Sequence, residues 1–181
     1  MAKLSILTFP AASLKKASVP VEKVTSKITD FVKDLFDTMY RTGNGIGLAA
    51  PQVGENLNIF VMDVPKPDPI DPEKEISNPI CIINPKIIKH EGIITWEEGC
   101  LSCPELLVNV DRSQNIVVTG LDAEGRPQEL ILSDLEAVCT QHEMDHLAGK
   151  LLTDYISRLK RDMYRKQRIR ARIDDDDTGD V

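Results

Sequence analysis

Aromatic side chains are scarce in this chain: Phe, Tyr and Trp make up 4% of its 181 residues, against 41% hydrophobic residues in all. Its core must therefore be mostly aliphatic. No apolar run approaches the ~20 residues of a membrane-spanning helix. Cysteine is sparse as well, with four in the chain, too few for a disulfide scaffold at this length. Cys81, Cys100, Cys103 and Cys139 read instead as buried thiols, metal ligands or catalytic groups. Positive charge is in deficit, the formal net charge being −7, which argues against a general nucleic-acid binder. The opening stretch MAKLSILTFPAASLKK has one early Lys and a short apolar run broken by Pro10. It is a poor secretion signal and lacks the Arg-rich character of an organelle transit peptide, so the cytoplasm is the expected location. Neither DNA nor a membrane is expected as a partner.

What is present fits one domain large enough to bury a core. Ile28, Phe31, Val32, Leu35, Phe36 and Met39 fall on one face at helical period and predict a helix over 26–41, with Thr25 or Ser26 as its cap. A glycine-rich stretch, 43–52, and a strand at 58–64 follow. Five prolines and many charges over 64–79 predict a surface loop. Short strands are expected at 81–83, 86–88, 93–96, 116–121 and 129–132, the last two joined by the turn AEGRP. Ser133-Asp134-Leu135-Glu136 has the capping-box form and predicts a second helix to about Leu147, stopping at Gly149. A third helix is expected over 157–173. It is strongly basic, with eight Lys/Arg and one acid over 158–172, and Asp174 to Asp177 follow it. Helix, several strands, helix, helix is an α+β order rather than alternating βαβ units. The expectation is one catalytic domain over 1–173 and an acidic, flexible tail over 174–181.

The strongest local signal is His142-Glu143-Met144-Asp145-His146, an H-E-x-x-H pattern holding two of only three histidines. On a helix, residues four apart share a face, so both imidazoles can reach one cation with Glu143 beside them. Two solvated or core histidines are the plain alternative, disfavoured because the pattern sits on an independently predicted, capped helix. An open catalytic site has three protein ligands and one place for water. Peptidases with this motif find the third ligand downstream, but Leu152 stands where that His would be, and no His or Glu follows His146. Asp154 is a weak candidate. The ligand is more readily sought upstream, among the cysteines.

Cys100 lies in Glu98-Gly99-Cys100-Leu101-Ser102 and opens a C-x-x-C with Cys103. Either both thiols join the histidines in a closed structural site, or Cys100 alone binds and leaves one position open. A closed site would leave Glu143 without water to activate. A redox pair is a third reading, but no thioredoxin-like βαβ unit surrounds it. A further constellation, Gly45-Ile46-Gly47-Leu48-Ala49-Ala50-Pro51-Gln52, superficially matches a dinucleotide fingerprint, yet a helix precedes it and Pro51 follows. What survives is a tight backbone that lets an extended ligand approach, with the Gln52 amide nearby.

Together GIGLAAPQ, EGCLS and HEMDH, in that order, resemble peptide deformylase, whose signature is G-φ-G-φ-A-A-x-Q, E-G-C-φ-S and H-E-φ-D-H, with φ apolar. The likeness spans about 2–172. Cys103 stands where the family has an aliphatic residue, and the loop over 64–79 is long for it. The resemblance implies an α+β fold with antiparallel sheets packed around a central H-E-x-x-H helix, flanked by an N-terminal and a C-terminal helix. It implies a metal-dependent hydrolase that removes the formyl group from N-terminal formyl-methionine of nascent chains and releases formate. Cys100, His142 and His146 would hold the metal, naturally iron(II), one per chain, with zinc, nickel or cobalt able to substitute.

Glu143 would then move the proton, and the formyl oxygen would be met by the Gln52 amide and the Leu101 N–H. Leu135 and Val138, one to two turns before His142, would wall a methionine pocket, with Ile46 and Cys139 added by the likeness; ordinary core packing is the competing reading. Backbone around Gly47 and Gly99 would pair with the peptide like an added strand. Cys103 could trap Cys100 as a disulfide once metal is lost. The basic third helix reads either as a docking face for ribosomal RNA or, preferably, as a solvated face partly neutralised by the acidic tail. A zinc peptidase and a non-enzymatic module with a structural Cys2His2 site are the alternative functions.

Overall fold

The computed structural model describes residues 4–71 and 73–177. Three helices, α1 (Ser26–Arg41), α2 (Asp134–Leu147) and α3 (Arg158–Asp177), surround antiparallel sheets. The main sheet has the order β1-β2-β5-β8-β9, from β1 (Gly47–Ala49), β2 (Ile59–Asp63), β5 (Pro79–Glu91), β8 (Asn115–Leu121) and β9 (Pro127–Ser133). A separate hairpin pairs β6 (Ile94–Cys100) with β7 (Cys103–Arg112). The proline-rich segment is not all loop: β3 (Lys66–Pro67) and β4 (Glu75–Ile76) form a small hairpin within it.

All five residues of β2 are buried, because the sheet is covered on both faces. Alternation sends Phe60 and Met62 to a core under α2 with Ile82, Val118 and Ala137. It sends Ile59 and Val61 to a second core against Val32, Leu35 and Met39 of α1. Leu35 is fully buried, and truncating such a leucine to alanine removes about 2–5 kcal/mol. A third core joins the β6–β7 hairpin to the C-terminal part through Val108, Val110, Leu151, Leu152 and Tyr164.

The α1 bounds coincide with the apolar periodicity, but neither Thr25 nor Ser26 caps it with a side chain. The capping box before α2 does not form either: Ser133 makes no side-chain cap bond. Asp134 has φ 48°, a left-handed value, and its N–H donates to the Gln114 carbonyl at 2.8 Å. Glu136 instead receives Asn78 Nδ2 at 3.0 Å and Lys66 Nζ at 3.0 Å, tying the proline-rich hairpin to α2. The two short strands expected at 81–83 and 86–88 are one strand, β5, with a bulge at Asn84, whose φ is 54°. β1 and the whole of β7 lie where no strand was expected. α3 continues through Asp177, past the expected end at 173. Of the expected tail, residues 178–181 lie outside the described residues.

Candidate active site

Helix α2 is unusual in what it buries. Besides Ala137, Val138 and Leu147 it takes Thr140, Glu143 and His146 out of solvent. Burying such groups is costly unless they are paired or bind something. Helical spacing brings His142 and His146 together, their ring centroids 5.0 Å apart. The β6–β7 hairpin delivers the third group. Its turn is Leu101-Ser102, with Cys100 and Cys103 directly paired across it. Cys100 Sγ lies 3.2 Å from His146 Nε2. One ligand atom from each of Cys100, His142 and His146 lies within 4.8 Å of the others. That cluster includes neither Cys103 nor Asp154.

The downstream peptidase reading also loses its residues. Leu152 is in the third core, and Asp154 accepts the Leu151 N–H at 2.8 Å and pairs with Lys15 and Arg161.

His142 Nδ1 meets Glu98 Oε2 at 2.7 Å, which leaves Nε2 for a ligand. Glu98 is itself gripped by Arg112, through Nε to Oε1 at 2.7 Å and Nη2 to Oε2 at 2.9 Å. Arg112 Nη1 returns to α2 at Asp145, 2.6 Å away, and also donates to Tyr155 Oη at 3.0 Å. Burial opposes charge on Glu98, but the hydrogen bonds from Arg112 and His142 outweigh it and hold its carboxyl below the usual range. Burial likewise pulls His142 down, and the Glu98 bond more than restores it. His146 lacks such a carboxylate, so burial drives it well below its ordinary value and keeps it neutral, the form that binds metal. Its Nδ1 has no partner among the described residues.

Glu143 is the other orphan: its Oε2 is buried with no hydrogen-bond partner among the described residues. Burial pushes this carboxyl up to about 7. Gly47 on β1 makes room for it; a Cβ there would run into Glu143 Oε1 and come within 2.9 Å of Cys139 Sγ. Gln52 sits in a short 3-10 helix over Ala50–Val53. Its Oε1 accepts the Ala49 N–H at 2.8 Å, while Nε2 donates to Ser102 Oγ at 3.1 Å and faces Cys100 Sγ at 3.8 Å. The amide is thus oriented with its donors toward the cluster.

These groups open on a cavity of about 620 Å³. It is lined by every residue to which the deformylase resemblance gave a role except His146: Gln52, Leu101, Cys100, His142, Glu143 and the pocket set Ile46, Gly47, Gly99, Leu135, Val138, Cys139. His146 lies behind them, buried. The positions given no role from sequence are Glu98, Ser102, Asp145, Arg112 and Tyr155. Three of them are fixed letters of the motifs, the E and S of EGCLS and the D of HEMDH, and that was the available signal. Arg112 and Tyr155 sit in no motif.

The polypeptide deformylase family model matches residues 3–162. Peptide deformylase of Baumannia cicadellinicola subsp. Homalodisca coagulata is 48% identical over 161 residues, 89% of this chain and 91% of that protein. The peptide deformylase of Hydrogenovibrio crunogenus is 43% identical over 161 residues, 89% of this chain and 90% of that protein. The chain belongs to the polypeptide deformylase family. Members of this family are metal-dependent hydrolases that remove the N-formyl group from nascent peptides, and this chain is such an enzyme.

The fold agrees. The crystal structure of peptide deformylase from Ehrlichia chaffeensis superposes with a TM-score of 0.85 at 37% identity, covering 94% of this chain and 97% of that one. Its complex with actinonin gives 0.83 at 40% identity, covering 92% and 96%. No helix among the described residues is long and apolar enough to cross a membrane.

Proposed function

We propose that the enzyme holds iron(II) between Cys100 Sγ, His142 and His146 and releases formate from N-terminal formyl-methionine, with Glu143 carrying the proton. The observation that supports this most is the meeting of the three ligand atoms within 4.8 Å beside the unpartnered Glu143 Oε2. A mixed thiolate and imidazole set suits iron(II) or zinc, and nickel or cobalt can substitute. When bound, the cation polarises the formyl carbonyl and lowers the pKa of water, one position being left open by three protein ligands.

The remaining steps fall to the chain. Glu143, with its carboxyl near 7, accepts a proton from water and returns it to the departing amine nitrogen. Negative charge developing on the formyl oxygen is met by Gln52 Nε2 and the Leu101 N–H, a donor of this kind being worth roughly 10²–10³ in rate. Glu98 fixes the His142 ring so that its free nitrogen points at the cluster. Ile46, Leu135, Val138 and Cys139 take the methionine side chain, and the Gly47 and Gly99 backbones pair with the peptide. The reading takes residues 1–173 as one catalytic domain, residues 174–181 as an acidic appendage and the cytoplasm as the location. The basic face of helix α3 is taken as a solvated face, with docking on the ribosome as the alternative; co-sedimentation unchanged in low salt after deletion of residues 158–181 would refute docking.

The test is formate release from formyl-Met-Ala-Ser by anaerobically iron-loaded protein, beside Glu143→Ala. Rapid release and near-complete loss in the variant support the assignment. Full metal loading without formate overturns it.

A further inference from the structure

A second concavity, about 780 Å³, lies between the start of β7 and helix α3. It adjoins the active-site cavity, Glu105, Leu106 and Leu107 lining both. Its floor is fixed: Tyr164 is buried, stacks on Phe9 at 5.7 Å and donates its hydroxyl to the Pro104 carbonyl at 2.8 Å. Its sides carry apolar groups left in solvent, Leu107 at 64% and Met163 at 63% exposure. Leu107 also reaches back to the catalytic end, its Cδ2 being 3.3 Å from where a Cβ on Gly99 would stand. Along the rim are Lys160 and Lys166, exposed and paired with no carboxylate among the described residues. The one acid of the lining, Glu105, is turned to α3, where it accepts from Gln167 Nε2 at 3.2 Å and lies 4.0 Å from Arg168.

We infer that this groove receives the downstream part of the formylated chain and favours acidic side chains there. The inference rests on the deformylase reading above, because that reading places the formyl end in the adjoining cavity. An extended peptide advances about 3.3 Å per residue, so the residues that follow the first few of a chain seated at the Gly47 and Gly99 backbones are the ones available to the adjoining groove. Apolar walls suit its backbone and aliphatic parts. Two unneutralised ammonium groups in a chain of net charge −7 give the site a sign opposite to that of its surroundings. A phosphate backbone is a poorer occupant, since the lysines rim a concavity with exposed apolar walls, Leu107 and Met163, that adjoins a peptide site.

The experiment compares formyl-Met-Ala-Ser with two formylated heptapeptides that begin with the same three residues and carry either Glu or Lys at positions four to six. For each enzyme, kcat/KM of the heptapeptide is divided by that of the tripeptide. The expected result is about a three- to tenfold advantage of the Glu peptide over the Lys peptide at low salt, shrinking as ionic strength rises. In K160E/K166E the preference disappears or inverts. Equal ratios for the two heptapeptides overturn the inference, as does a preference that survives the charge reversal. A variant that keeps the peptide preference but no longer binds an RNA duplex in low salt assigns the lysines to nucleic acid and overturns it too. Absence of tripeptide turnover by the wild type is a different failure, that of the deformylase reading itself.

Discussion

Arg112 and Asp145 are joined at 2.6 Å although 33 positions separate them, and through that contact the β6–β7 hairpin is fastened to the helix that carries both histidines. The same guanidinium holds Glu98, which in turn holds His142. Glu98→Gln keeps the shape of this relay but weakens it, and metal affinity is expected to fall about 10- to 100-fold, read by competition with a chelator. Arg112→Met leaves the buried Glu98 without its cationic partner and with only the His142 contact, and about 3–5 kcal/mol of stability should be lost in denaturant titration. Unchanged chelator competition in Glu98→Gln would show that the ring needs no such support.

Gly47 is where a side chain cannot stand without displacing Glu143. Gly47→Ala is therefore expected to lower kcat/KM by roughly 100-fold, the scale of a 1 Å misplacement, with bound metal retained. Metal analysis and steady-state kinetics on the same preparation separate this outcome from loss of the ion.

Asp63 supplies a stability dependence on pH away from the metal ligands. Burial pushes its carboxyl up, but hydrogen bonds from Ser77, Tyr40 and the Asn78 N–H outweigh that and hold it below the usual range. A carboxyl depressed in the folded state stabilises above its unfolded pKa, and the contribution disappears as pH falls through the folded value. Asp63→Asn should thus be less stable than wild type at pH 7, by about 1–3 kcal/mol for the lost charged hydrogen bonds, and the gap should close in acid. Urea midpoints measured from pH 7 down to pH 3 give the answer; a gap constant with pH would refute the assignment.

Cys100 and Cys103 are cross-strand partners on either side of a two-residue turn. In metal-free protein, hydrogen peroxide is expected to join them: two thiols give one disulfide, and the peroxide is reduced to two waters. Intact mass should drop by two hydrogens and return with dithiothreitol. Cys103→Ser should gain oxygen instead. Wild type that only gains oxygen would rule the pair out.

Helix α1 could be read closely from its apolar spacing and α2 from the letters before it and Gly149 after it, and the three motifs contain ten of the twenty-one residues that line the cavity. The failures have local causes. β7 buries Val108 and Val110 in alternation, but the intervening Glu105, Asn109 and Asp111, together with Pro104, dilute the strand signal. β5 looks like two strands because Asn84 adopts a left-handed turn in its middle. The box before α2 had the right letters, yet Glu136 found better partners in Asn78 and Lys66, which no local window contains. Arg112 was invisible for the same reason: its three partners come from three separate stretches of chain.

Cys100 and His146 are 46 positions apart, both in the latter part of the chain, and neither hairpin nor helix alone contains the full ligand set. A ribosome making this enzyme exposes the amino end first and the last ligand only after His146 has left the exit tunnel. While it is being made, a copy that begins with a formylated Met1 has no working centre of its own. Its processing at that stage therefore depends on other, completed copies, and a copy that leaves the ribosome still formylated can be processed only afterwards.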